Sequence, residues 1–124
     1  MDADSVAVAI LAKAPVPGRV KTRLIPELGA HGAAFLHEEM IERTVRTACE
    51  ARLGAVTLWT TSPHALFSEL ARRHAVTLKS QPDGDLGLRM LTPLKAHSPA
   101  LVVGTDCPAL TPSHLREAAA ALAD

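Results

Sequence analysis

Residues 6–12, Val-Ala-Val-Ala-Ile-Leu-Ala, form an unbroken apolar run, and the mostly apolar stretches 55–60, 75–78 and 100–104 follow at intervals. Short apolar runs without alternation are how strands buried on both faces of a parallel sheet read. Between them the period turns helical. From about residue 32 to 53, Ala33, Leu36, Met40, Ile41, Thr44, Val45, Ala48 and Cys49 share one face, and Glu38, Glu39, Glu42, Arg43, Arg46 and Glu50 lie mostly on the other. Gly54 is the expected stop. A shorter helix is predicted with Ser62 as its cap and Pro63 at its first position, running to about His74. Leu86–Ala96 reads as a third helix, opening near Gly87 and interrupted by Pro93. Pro112–Ala123 reads as a fourth, capped by Thr111. The order β-α-β-α-β-α-β-α predicts one α/β domain over residues 1–124, a parallel sheet with helices on both faces.

Composition narrows the partners. The 124 residues suffice for one modest core, and 48% of them are hydrophobic. Lys plus Arg and Asp plus Glu are both 13, so no global charge draws the chain to nucleic acid or to a membrane surface. An anion site must come from a local cluster. Cys49 and Cys107 stand far apart, outside any CxxC pair, and read as reduced thiols of a cytoplasmic protein. The acidic start Met1-Asp2-Ala3-Asp4 does not read as a signal peptide. The last helix runs to Asp124 with no glycine to close it, the pattern expected of a fragment or a shortened gene product.

Three segments carry candidate chemistry. Lys13, Arg19, Lys21 and Arg23 place four cations within eleven residues, directly after the first strand. Ligands of parallel sheets bind beyond the carboxyl ends of strands. Pro15 and Pro17 fix the loop, Gly18 lets backbone approach, and Thr22 adds a hydroxyl. The segment reads either as a phosphate loop or as a solvated basic turn. Asp106, after the fourth strand, is either a ligand for Mg²⁺ or Mn²⁺ or the cap of a turn. After the third strand, the Gln81 amide and Asp85 suit ribose or base edges and Arg89 suits phosphate, while Asp85 serves equally as a helix cap. Cys107 is expected to pack as a small residue, and the six histidines, without metal-ligand spacing, receive no role.

Together these segments resemble a family of bacterial GT-A-like nucleotide-diphospho-sugar transferases. The matching patterns are Lys-x-Pro-x-x-Gly-x-x-Lys-Thr-Arg-Leu at 13–24, Gly-Asp-Leu-Gly-x-Arg-Met at 84–90 and Gly-Thr-Asp-Cys-Pro at 104–108. Members include glycosyltransferases of arsenosugar biosynthesis and are similar to cofactor guanylyltransferases. The resemblance implies a three-layer α/β sandwich of GT-A type, cut after the fourth strand and its helix. It implies nucleotide phosphates held by the first loop and a metal at Asp106, where a single Asp replaces the Asp-x-Asp of many glycosyltransferases. The Gly-Pro-x-x-Asp-Gly-Gly-Tyr segment usual in such proteins does not occur in these residues.

The leading expectation is a transferase domain that binds a nucleotide or nucleotide-sugar diphosphate across the crevice between the first and fourth strands. Glycosyl transfer is the first reading. Nucleotidyl transfer, a non-catalytic nucleotide-binding fragment and a plain α/β domain with structural loops are its rivals. A GT-A order of 3-2-1-4 leaves the fourth strand at an edge with no charge or proline to guard it, and such an edge invites a homodimer.

Overall fold

The structure, a computed structural model, describes residues 6–82, 86–96 and 99–123. Strands β1 (Ala7–Ala12), β2 (Val56–Thr60), β3 (Thr77–Ser80) and β4 (Ala100–Val103) form one parallel sheet in the order β3-β2-β1-β4. This is the expected order, with β1 central and β4 at an edge. Ile10 sits between Leu58 on β2 and Val103 on β4, which sets the register on both sides.

Helices α1 (Ile25–Ala51), α2 (Ala65–His74) and α4 (Pro112–Ala123) gather on one face, where α1 touches both α2 and α4. Helix α3 (Leu86–Ala96) packs against β4 and β1. Alternation along β1 explains the layers. Val8, Ile10 and Ala12 point into a core with Ile41, Val45 and Ala48 of α1, while Ala9 is buried toward the opposite face. Phe67 and Leu70 anchor α2 in the same core, each worth about 1.5–3 kcal/mol of apolar burial. Among the described residues no helix is long and apolar enough to cross a membrane.

Several boundaries differ from the sequence reading. Helix α1 begins earlier, after a 3-10 turn at Thr22–Leu24, with Pro26 in a first turn whose N–H groups have no intrahelical partner. It breaks at Gly29 (φ 77°, ψ 165°). Its end is closed by Arg52 at φ 53°, whose N–H bonds to the Cys49 carbonyl, not by Gly54. Gly54 answers a different need, because a Cβ there would lie 2.7 Å from the Val6 carbonyl oxygen. Leu36 is exposed, so the buried stripe of α1 runs instead through Ala33, His37, Ile41, Thr44, Val45 and Ala48.

Helix α2 is capped by His64, whose Nδ1 accepts from the Leu66 N–H, rather than by Ser62. Strand β3 starts two residues late because Ala75 takes the left-handed cap of α2 (φ 56°) and Val76 drops into the core. Pro93 does not interrupt α3. It lies inside the helix, fully buried. At α4 the expected cap holds: the Thr111 hydroxyl accepts from the His114 N–H, and His114 Nδ1 accepts from the Thr111 N–H.

Candidate functional site

The loop after β1 is pinned from several sides. The Ala14 N–H donates to the Thr61 hydroxyl (3.1 Å), and the Lys13 carbonyl accepts from His37 (2.8 Å). Within the loop, the Val16 N–H bonds to the Ala14 carbonyl and the Arg19 N–H to the Val16 carbonyl. Ala14 and Val20 are buried. Gly18 turns at φ 86°, and Lys21 adopts a left-handed conformation at φ 51°. With Ala14, Pro15 and Val20 held inside, the loop turns Lys13, Arg19 and Arg23 outward.

The sheet order reverses between β1 and β4. Strands β2 and β3 spread to one side of β1 and β4 to the other, leaving a crevice at their carboxyl ends. A cleft of about 950 Å³ opens there. Lys13, Arg19, Lys21, Thr22 and Arg23 line it from the loop, and Thr105 and Asp106 from the end of β4. Leu11, Val102 and Met90 add apolar surface. Among the described residues, four cations thus face one carboxylate. The Lys21 ammonium is ion-paired with Asp106, whose side chain is 78% exposed against 19% for Lys21.

His37 also lines this cleft. Its partner is a carbonyl, which only accepts, so Nε2 carries the proton and Nδ1 is left as a lone pair, buried and without a hydrogen-bond partner among the described residues. Burial holds the imidazole below its ordinary pKa of 6.5, and the charges of Lys21 and Lys13 add to the shift against the Lys13 hydrogen bond and Asp106. The ring is therefore neutral at pH 7 and works as a prop for the loop. The sequence carried a signal for it: a polar residue one turn from Ala33 and one turn from Ile41, inside an apolar stripe.

The third segment contributes less. Met90 lines the cleft and Arg89 does not. Asp85 lies outside the described residues. The Gln81 amide, expected near ribose or base, donates to the Ala12 and Trp59 carbonyls and ties the ends of β1 and β2 together. Cys107 is exposed rather than packed. Among the described residues no three His, Cys, Asp or Glu side chains converge as a metal cage.

No curated protein matches the chain in sequence. A protein of Desulfovibrio desulfuricans G20 assigned as a nucleotide-diphospho-sugar transferase has a similar structure, with TM-score 0.77 and 23% identity, over 96% of this chain and 54% of that one. A nucleotidyl transferase of Methanothermobacter thermautotrophicus is similar at TM-score 0.65 and 23% identity, over 93% of this chain and 57% of that one. These likenesses establish the expected GT-A-like α/β fold, and the chain spans a little over half the length of each. Residues 44–124, the larger part of the chain, match a family described as an uncharacterized protein conserved in bacteria (DUF2064), and the chain belongs to that family.

Proposed function

We propose that the chain is the nucleotide-binding portion of a transferase that uses a nucleotide-diphosphate sugar. The observation that carries this reading is the cleft at the reversal of strand order, with Arg19, Lys21 and Arg23 on one wall and Asp106 on the other. Among the described lining residues, four cations against one carboxylate favour a compact polyanion, and guanidinium groups suit forked contacts to phosphate. The apolar surface of Leu11, Val102 and Met90 suits the less polar part of such a ligand. Asp85 and Arg89, on the neighbouring segment, remain proposed ligands of the nucleotide.

Asp106 fits a divalent cation of one kind. Its carboxylate already carries a cation, the Lys21 ammonium, and it is exposed, with no cluster of three ligand side chains around it among the described residues. That suits Mg²⁺ or Mn²⁺ arriving with phosphate oxygens and water in its shell, and it does not suit a cage built only of protein. Such an ion, when bound, offsets charge on the diphosphate. Around it, this chain's residues bind and orient: Arg19, Lys21 and Arg23 hold phosphate, Thr22 offers a hydroxyl, and His37 keeps the loop in shape.

Nucleotidyl transfer is the second reading, favoured by the likeness to a nucleotidyl transferase. Both reactions use the same phosphate-binding wall. A cytoplasmic location, where nucleotide sugars and reduced Cys49 and Cys107 are at home, goes with either reading. The partner proposed for the β4 edge is a second copy of the chain.

A thermal-shift panel of nucleoside diphosphates and nucleotide sugars, with and without Mg²⁺, tests the proposal. A ligand that binds only the folded state raises its stability, by about 2.7 kcal/mol at a hundred times its Kd. Melting that no member of the panel shifts would contradict the proposal.

A further inference from the structure

We infer that the Lys21–Asp106 ion pair is a latch that makes diphosphate and divalent cation bind together more readily than either binds alone. The inference rests on the diphosphate and metal reading of this cleft. Lys21 is held in place by the loop: its backbone is left-handed, its neighbour Val20 is buried, and its side chain is 19% exposed. Asp106, 78% exposed, reaches across from the end of β4 to meet it. The two residues are 85 positions apart in sequence, so the pair joins the two walls of the cleft.

The empty cleft therefore offers neither ligand a free partner at this point. The lysine that suits phosphate is neutralised by Asp106, and the carboxylate that suits metal is occupied by an ammonium. Arg19 and Arg23 line the same wall, and neither is ion-paired to a described residue. A diphosphate meets these first and then takes Lys21. That step frees Asp106 for the cation. In the other direction, a cation on Asp106 frees Lys21 for phosphate. Such coupling is reciprocal by thermodynamic necessity. The ligand class the cleft selects is the metal–diphosphate complex.

The test measures Mn²⁺ binding to the protein without nucleotide, by the electron spin resonance signal of the free ion. Lys21→Met removes the ammonium and keeps the side chain's length. Lys21→Asn is the second variant, since Asn tolerates a left-handed backbone if Met does not fold there. Either variant is expected to bind Mn²⁺ about fivefold more tightly than wild type, the upper range for releasing a partly exposed pair. Arg23→Met, which removes a cation from the same wall without touching the pair, is expected to change it less than about twofold. Adding Asp106→Asn to Lys21→Met is expected to abolish the gain.

A second measurement reads the other half of the latch. Inorganic pyrophosphate without metal is expected to bind Asp106→Asn more tightly than wild type. Asp106-dependent Mn²⁺ binding that Lys21→Met leaves unchanged or weakens would overturn the latch while leaving the metal site standing. A gain in Arg23→Met equal to that in Lys21→Met would overturn it too, because general charge would then explain both. Mn²⁺ binding that never depends on Asp106 would overturn the metal reading itself, and the latch with it.

Discussion

His37 donates from Nε2 to the carbonyl of Lys13 across 2.8 Å, linking the buried stripe of α1 to the first residue of the loop that lines the cleft. Removing the ring as His37→Ala leaves a carbonyl unpaired beside a new cavity and is expected to cost about 2–4 kcal/mol. His37→Gln keeps an N–H at similar reach and is expected to recover about half of that. Urea unfolding of the two variants checks the order. Equal losses would show that packing alone, and not the donated hydrogen bond, accounts for the effect.

The same contact makes stability depend on pH. His37 is held below its ordinary pKa of 6.5 in the folded chain, first by burial. Below pH 6.5 the unfolded chain takes up a proton that the folded one resists, so stability present above that pH declines as pH falls. The decline levels off once the folded ring is itself protonated. Unfolding measured from pH 7.5 to 5 is expected to show a steeper loss in wild type than in His37→Gln. Parallel curves would mean that His37 takes its proton equally in both states.

Two glycines are expected to respond differently to alanine. At Gly54 a Cβ would sit 2.7 Å from the Val6 carbonyl oxygen and 3.0 Å from its carbon, so backbone must move. Overpacking of this kind costs about 1–3 kcal/mol. At Gly18 a Cβ meets nothing within 4 Å, and the cost is only that of φ 86°, about 1 kcal/mol. Thermal unfolding of Gly54→Ala and Gly18→Ala is expected to show the larger loss at Gly54. The reverse order would mean that the loop bears more strain than the junction at Val6.

The β4 edge is expected to pair with a second copy. Its outer side, along half-buried Leu101, Val102 and Val103, pairs with no described strand, and beside it α3 exposes Met90, Leu91 and Leu94. The Ala7 N–H bonds to the Pro99 carbonyl, so parallel pairing turns the N–H groups of Leu101 and Val103 inward and that of Val102 outward. Val102→Pro therefore removes an outward donor without breaking the β1–β4 ladder. Light scattering after size exclusion is expected to give a dimer for wild type and a monomer for Val102→Pro with unchanged helix content. A monodisperse wild-type monomer at high concentration would contradict the pairing.

Much of this architecture was legible because it is local. Apolar runs without alternation marked β1, β2 and β4, whereas β3 is exposed along its length, and Thr111-Pro112 marked the start of α4 as the structure has it. The misread boundaries came from residues used against type. Arg52 and Ala75 take left-handed caps that usually fall to glycine, and His64 caps a helix where Ser62 was the obvious candidate. In the cleft, the cations lie close together in sequence and could be read as a group. The Lys21–Asp106 pair and the His37–Lys13 bond could not, because both join distant segments. The contacts of Gln81 were hidden for the same reason, since its amide nitrogen donates to carbonyls of β1 and β2.

Titration calorimetry with UDP and GDP in the presence of Mg²⁺ tests most directly whether the basic loop binds the diphosphate of a nucleotide. Arg23→Ala and Lys21→Ala each remove one charge-assisted contact, worth about 1.5–3 kcal/mol, which corresponds to a tenfold or greater loss of affinity. Arg73→Ala serves as the control, because Arg73 pairs with Glu42 and does not line the cleft. Wild type and Arg73→Ala are expected to bind one of the two diphosphates alike, and both loop variants to bind it at least about tenfold more weakly. Binding of equal strength in all four proteins would place the ligand elsewhere and contradict the assignment of the loop.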